Sequence, residues 1–274
     1  MSKNKGALQP FLKWTGGKRW AVKDLKNLIP ESYGRYFEPF LGGGALFFHL
    51  KPYPATLSDT NLELINTYRQ VRDECEQVVS RLQRLPICRD QFLKIRASRP
   101  RTNINKAVRF LFLNRTAYNG MFRVNQRGEF NVPFGCKEGT RLCDPTHFRR
   151  ISKALQNRSI RVSDFEAIID LAESGDIVYA DPPYTTQHNN NGFRRYNENL
   201  FTWDDQIRLA DACLRASARG AHVIISNADH FEIRTLYKKL NSTVRYRYSS
   251  IGSTSICRGP VAERIFFSST FRSG

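Results

Sequence analysis

Short apolar runs alternate with longer stretches of helical spacing along most of this chain. Tyr36 to Glu38, Ala55 to Ser58, Ser159 to Val162, Asp176 to Ala180, Ala221 to Ser226, Thr243 to Tyr248 and Arg264 to Phe267 read as strands. Between them, Val22 to Leu28, Ala45 to Leu50, Asn61 to Leu82, and the stretches near 165–173, 203–218 and 230–239 read as helices. Strands alternating with helices predict an α/β fold on a doubly wound, Rossmann-like sheet. The rhythm breaks in the middle. Residues 90–117 read as helix interrupted near Pro100, and Met121 to Pro133 alternates around Gln126-Arg127-Gly128 as a β-hairpin does. The expected organisation is a sheet domain from 1–62 and 145–274, with a mainly helical insertion at 63–144 that contains the hairpin.

Charge changes the picture most in that insertion. The chain of 274 residues carries a net charge of +18, and residues 81–160 hold 18 Lys and Arg against Asp90, Glu129, Glu138 and Asp144, which is +14. The rest of the chain carries only +4. A basic module on a nearly neutral body points to a polyanionic partner. Interleaved Phe112, Tyr118, Phe122 and Phe130 argue against a disordered basic tail. The six cysteines form no CxxC pair and the five histidines are dispersed, so neither a zinc site nor a disulfide framework is expected. No apolar stretch approaches the length of a membrane span and no signal sequence opens the chain, so a reduced, soluble, intracellular protein is expected.

The chemistry concentrates at Asp181-Pro182-Pro183-Tyr184, directly after the apolar run 176–180. Open α/β sheets bind ligands at the carboxyl ends of their strands. Two prolines remove two backbone donors and fix two φ angles. The turn that remains offers acceptors, the Asp181 carboxylate and the Pro182 carbonyl, beside the flat ring of Tyr184. It matches an exocyclic amino group on a planar base, which has two hydrogens to donate and a face to stack.

A second constellation follows the first strand. Glu38-Pro39-Phe40-Leu41-Gly42-Gly43-Gly44 lacks the third glycine of a dinucleotide fingerprint, since position 47 is Phe. Gly16-Gly17-Lys18 fails the P-loop spacing, with Leu12 and Arg19 at the diagnostic positions. Asp59, ending the second strand, can take ribose hydroxyls, and Asp164 and Phe165 after another strand can take an adenine ring. The sum is a nucleoside site without a phosphate grip, which suits S-adenosylmethionine.

Six segments, in order, carry a family resemblance: Phe11 to Lys18, Phe37 to Gly44, Leu57 to Asn61, Leu113 to Gly120, Arg127 to Gly135, and the 181–184 tetrapeptide. With them the chain resembles Dam-type DNA adenine-N6 methyltransferases whose recognition domain precedes the tetrapeptide. The resemblance implies a methyltransferase sheet with an inserted DNA-recognition domain, transfer from S-adenosylmethionine to N6 of a flipped adenine in double-stranded DNA, and GATC as the site. It implies Asp181, Pro182 and Tyr184 as catalytic residues, with Trp14, Lys18, Glu38, Phe40, Gly42, Asp59, Asp164, Phe165 and Asp181 around the cofactor. Lys18 faces the cofactor carboxylate in that assignment. It implies DNA contacts by Lys13, Arg115, Tyr118, Asn119, Arg123, Asn125, Pro133, Arg194 and Arg195, with Arg123 reading a guanine edge and Tyr118 and Asn119 inserting beside the flipped base. A monomer in a bacterial cytoplasm, host- or phage-encoded, without metal or membrane, completes the expectation.

The tetrapeptide serves N4 of cytosine as well as N6 of adenine, and a non-catalytic DNA-binding regulator on this fold is a further alternative. A related turn methylates protein amides, but the +14 segment argues against a protein substrate. Thr185 to Tyr196 is expected to close over the flipped base, and Ser249 to Pro260, with Arg258, to press on phosphates.

Overall fold

The computed structural model describes residues 7–125, 128–136, 139–184, 201–248 and 260–268. The chain gathers into two compact units, one of residues 1–19, 42–51 and 61–162, the other of residues 20–41, 52–60 and 163–274. The first unit thus extends beyond the basic segment to include the amino-terminal stretch and the glycine turn.

The strands are β1 (Tyr36–Glu38), β2 (Ala55–Asp59), β3 (Ser159–Val162), β4 (Ile177–Ala180), β5 (His222–Ala228), β6 (Asn241–Tyr248) and β7 (Pro260–Phe267). They form a seven-stranded sheet in the order β3-β2-β1-β4-β5-β7-β6. Strand β1 pairs in parallel with β2 and with β4, Tyr36 standing opposite Ala55 and Ile177, and β4 pairs in parallel with β5. Strand β7 runs antiparallel between β5 and β6, a departure from the plain doubly wound order. All four residues of β4 are buried, as expected of a strand covered on both faces. On one face Val178, Ala180, Val223 and Ile225 meet Ile168 and Ile169 of α8 (Phe165–Ile169), Leu209 and Ala212 of α9 (Trp203–Ala218) and Ile233 of α10 (Phe231–Leu236).

In the second unit, Asp176 stitches the entry of β4 to the entry of β1. Its carboxylate accepts from Arg35 N at 2.7 Å, Arg35 Nε at 3.0 Å, Arg35 Nη2 at 2.7 Å and Glu173 N at 2.9 Å. Burial alone would raise this carboxyl, yet the bonds from Arg35 and Glu173 hold it below the usual range. A group with a lowered folded pKa contributes stability that is present above its unfolded pKa and is lost as pH falls through the folded value. Asp176→Ala is therefore expected to cost about 2 kcal/mol at neutral pH, with the gap to wild type closing in acid. Urea unfolding at the two pH values checks this, and a gap that widens in acid would contradict it.

The first unit holds the helices α2 (Ala45–Leu50), α3 (Leu62–Asp73), α4 (Cys75–Gln83), α5 (Arg89–Ala97), α6 (Asn103–Thr116) and α7 (Pro145–Leu155), while α1 (Val22–Lys26) belongs to the second. The single helix expected over Asn61 to Leu82 is two, because Glu74 leaves helical geometry at φ −124° and ψ 35°. Helix α7 was not expected separately, although its start is written in Asp144, which caps His147 N, and in Pro145 at the first position. The expected hairpin is narrow. Val124 bridges Phe130, Asn125 N donates to Glu129 O at 2.9 Å and Asn131 N to Arg123 O at 3.1 Å.

Candidate active site

In the second unit, three acidic residues stand at the carboxyl ends of adjacent strands. Glu38 ends β1, Asp59 ends β2 and Asp181 follows β4. The order of the sheet reverses between β1 and β4, and the loops leaving such a switch point diverge and open a crevice. Glu38 is buried, and its Oε2 accepts from the Tyr36 hydroxyl at 2.8 Å. Burial and the Glu38 charge push the Tyr36 phenol well up, so it stays a donor. Sequence reasoning missed what holds the tetrapeptide. Gln206 Nε2 donates to the Pro183 carbonyl at 3.3 Å, and Asn227 Nδ2 donates to Gln206 Oε1 at 3.1 Å. Both amides are fully buried. Asn227 follows the apolar stretch of β5, its one sequence signal, whereas Gln206 stands among Asp204, Asp205 and Arg208 and has none.

Phe40, Phe165 and Phe201 form an aromatic cluster with centroids 5.4–5.6 Å apart. Arg208 lies 4.8 Å over the Phe165 ring and pairs with Asp164 at 2.9 Å, Glu166 at 3.0 Å and Asp205 at 2.9 Å. Burial alone would lower the Arg208 guanidinium, but Glu166, Asp164 and Asp205 raise it. Asp164, expected to face an adenine amino group, is already engaged: its Oδ1 also caps α8 by accepting from Glu166 N at 3.0 Å. Phe165 is buried against Phe40 and Phe201, so within this cluster only the half-buried Phe40 offers appreciable aromatic surface.

In the first unit, Trp14 stacks on Phe110 (6.4 Å) and on Phe122 (6.2 Å). A Cβ added at Gly42 would meet Trp14 Cδ1 and Nε1 at 2.8 Å, and one at Gly43 would meet Trp14 Cβ at 3.1 Å. Trp14 thus packs against both glycines. Gly42 also holds φ +44°, and its carbonyl accepts from the Tyr68 hydroxyl at 3.0 Å. Lys18 is 3% exposed, with Nζ donating to Gly16 O at 3.1 Å.

The residues expected at DNA divide. Lys13, Tyr118, Asn119, Arg123, Asn125 and Pro133 are exposed on this unit. Asn119 takes φ +54°, so the backbone turns sharply, and Tyr118 N donates to Pro133 O at 2.9 Å. Arg123 Nε donates to Asn131 Oδ1 at 2.8 Å, an orienting partner that sequence reasoning missed. Asn125 closes its own turn, Oδ1 accepting from Glu129 N at 2.9 Å. Arg115 is less exposed than these. It is half-buried at the end of α6, Nη2 donates to Phe11 O at 3.0 Å, and burial and Arg19 lower its guanidinium, so it ties the amino-terminal stretch to α6. Arg194 and Arg195, with the rest of 185–200, lie outside the described residues, as do 249–259 with Arg258. Among the described residues no group of three or more His, Cys, Asp or Glu could hold a metal, and no helix is long and apolar enough to cross a membrane.

Comparison with known proteins follows the same lines. The family model described as D12 class N6 adenine-specific DNA methyltransferase matches residues 14–251. The type II methyltransferase M1.LlaDCHI of Lactococcus lactis subsp. cremoris is 38% identical over 97% of both chains. The type II methyltransferase M.MjaIII of Methanocaldococcus jannaschii is 33% identical over 81% of this chain and 84% of its own. The DNA adenine methylase of Escherichia coli K12 is 32% identical over 96% of this chain and 95% of its own.

Proposed function

Because the chain belongs to the D12 class of N6 adenine-specific DNA methyltransferases, we propose that it methylates adenine in GATC, drawing the methyl group from S-adenosylmethionine after the base has left the helix. The observation that carries the reading is Asp181-Pro182-Pro183-Tyr184 at the carboxyl end of β4, beside the switch point of the sheet.

The residues suit a sulfonium nucleoside. In the second unit, Glu38 and Asp59 at neighbouring strand ends and the half-buried Phe40 offer anionic and aromatic partners for a cationic ligand with a ribose. Phe40, rather than the covered Phe165, is the ring on which an adenine packs, and Asp164 acts through the α8 cap. In the first unit, Trp14, Lys18 and Gly42 take the amino-acid end, with Lys18 toward its carboxylate. When bound, S-adenosylmethionine supplies an electrophilic methyl group.

Adenine N6 is a poor nucleophile because its lone pair is delocalised into the ring. Asp181 and the Pro182 carbonyl accept its two hydrogens, draw it toward a tetrahedral shape and localise that lone pair. Tyr184 stacks on the ring. As the N6–methyl bond forms and the methyl–sulfonium bond breaks, positive charge passes from sulfur to N6, and the Asp181 carboxylate stands where it develops. One N6 proton then passes to solvent. Gln206 and Asn227 hold the turn in register through Pro183.

The proposed recognition module is the 63–144 insertion, with Lys13 contributing from the amino-terminal stretch. Arg84, Arg89, Lys94, Arg101 and Lys106 are exposed there and suit phosphates, while Arg123, oriented by Asn131, suits the O6 and N7 of a guanine. Arg115, whose guanidinium bonds Phe11 O, is not among the proposed base-reading residues. Mapping methylated adenines on DNA treated with wild type and with Arg123→Ala tests the assignment. Wild type is expected to mark GATC, and the variant to lose discrimination at one base by about 1–3 kcal/mol. Unchanged site preference in the variant would remove Arg123 from base reading.

A further inference from the structure

Asn114 is a fully buried amide near the end of α6. Its Oδ1 accepts from Lys13 N at 3.0 Å, and its Nδ2 donates to Lys13 O at 2.7 Å and to Gly120 O at 3.2 Å. One side chain thus pairs with the backbone of Lys13 on both sides, as a strand neighbour does, and closes the turn that follows its own helix. The partner lies 101 positions away in sequence. Asparagine is an indifferent helix residue, so its choice here reflects these bonds rather than propensity. A Cβ at Gly120 would clash with Lys13 Cδ and lie 2.6 Å from Lys13 Cβ, so the two segments touch directly.

The consequences run both ways from this joint. On one side, Lys13 is followed by Trp14, which fills the Gly42–Gly43 turn and stacks on Phe110. On the other, Gly120 follows Tyr118, 52% exposed, and Asn119 in its left-handed turn, and precedes Phe122, which also stacks on Trp14. An apolar residue at 114 would leave three backbone groups without their partner, and aspartate would set a buried anion against two carbonyls.

We propose that Asn114 is a positioning residue that fixes Lys13-Trp14 and Tyr118-Asn119-Gly120 against each other, so that cofactor affinity and base discrimination depend on one side chain. The inference rests on the functional reading above, in which Trp14 meets S-adenosylmethionine and Lys13, Tyr118 and Asn119 meet DNA. It requires that loss of the amide damages both together, whereas a purely structural amide lowers only the unfolding temperature.

The test uses the full chain with Asn114→Ala and, as control, Thr116→Ala, a fully buried neighbour whose hydroxyl bonds within α6 to Phe112 O at 2.7 Å. The KM for S-adenosylmethionine is measured together with the ratio of kcat/KM on the cognate duplex to that on a duplex with one base pair of the site changed. Assays run below each protein's unfolding transition. Asn114→Ala is expected to raise KM about tenfold and to cut discrimination about tenfold, each the size of one lost buried hydrogen bond. Thr116→Ala is expected to leave both within about twofold. Should Asn114→Ala fail to fold, Gly120→Ala decides, because its added Cβ displaces Lys13 and must produce the same paired change. Unchanged parameters in a folded variant, or movement of one without the other, overturn the proposal. Absence of cofactor-dependent transfer in wild type overturns instead the reading on which it rests.

Discussion

Asp181→Ala is expected to lower kcat by about 10³-fold or more, close to 4 kcal/mol of lost transition-state stabilisation. In the proposed mechanism the carboxylate has two tasks that no neighbour can assume. It accepts an N6 hydrogen, which turns the amino group from a conjugated donor into a nucleophile, and it carries the charge opposite N6 as the methyl group arrives. Its position after β4 is set by a rigid proline turn anchored through Gln206 and Asn227, so truncation removes the function without moving the frame. Single-turnover transfer, with cofactor and duplex binding measured separately, isolates the chemical step. Binding of both within about tenfold of wild type, with chemistry lost, is the expected pattern. Near-wild-type chemistry in the variant would place the reacting group elsewhere.

The largest expected loss of stability comes from Phe11→Ala. This ring is fully buried and meets Tyr68 at 5.0 Å, Phe148 at 5.7 Å and Phe48 at 6.1 Å, each edge to face. It pins the amino-terminal stretch to α2, α3 and α7, and its own carbonyl holds Arg115. Removing it leaves a cavity and three unmatched aromatic edges, a cost of about 3–5 kcal/mol. A urea midpoint falling by that amount, with slope unchanged, is the outcome the packing requires. A loss below about 1 kcal/mol would mean that the amino-terminal stretch is held by its backbone bonds alone.

What the sequence disclosed was chiefly local. The apolar run before Asp181, the glycine turn after Glu38 and the acidic residue ending β2 are each written within a few residues, and their places at strand ends follow from α/β alternation. The +14 segment made the polyanionic partner legible without any geometry. What stayed hidden were the groups whose meaning lies in distant partners. Asn114 looks like an ordinary helix residue until Lys13 is placed against it, and Gln206 looks like a surface polar residue until Pro183 and Asn227 appear. Arg115 illustrates the converse. A basic residue in a basic segment reads as a DNA contact, and nothing local in the sequence shows that its guanidinium also bonds Phe11 O. The glycines at 42 and 43 were legible as a turn, but the side chain packed against them, Trp14, was not, because it lies well back in the chain. The break at Glu74 had no strong signal, since no proline or glycine marks it.

Methylation of adenine within GATC is decided by methyl transfer from labelled S-adenosylmethionine to two duplexes, one containing GATC and one with that site altered, followed by chromatography of the nucleosides. Label is expected on the GATC duplex alone, recovered as N6-methyladenine. Label recovered as N4-methylcytosine, or equal label on both duplexes, would contradict it.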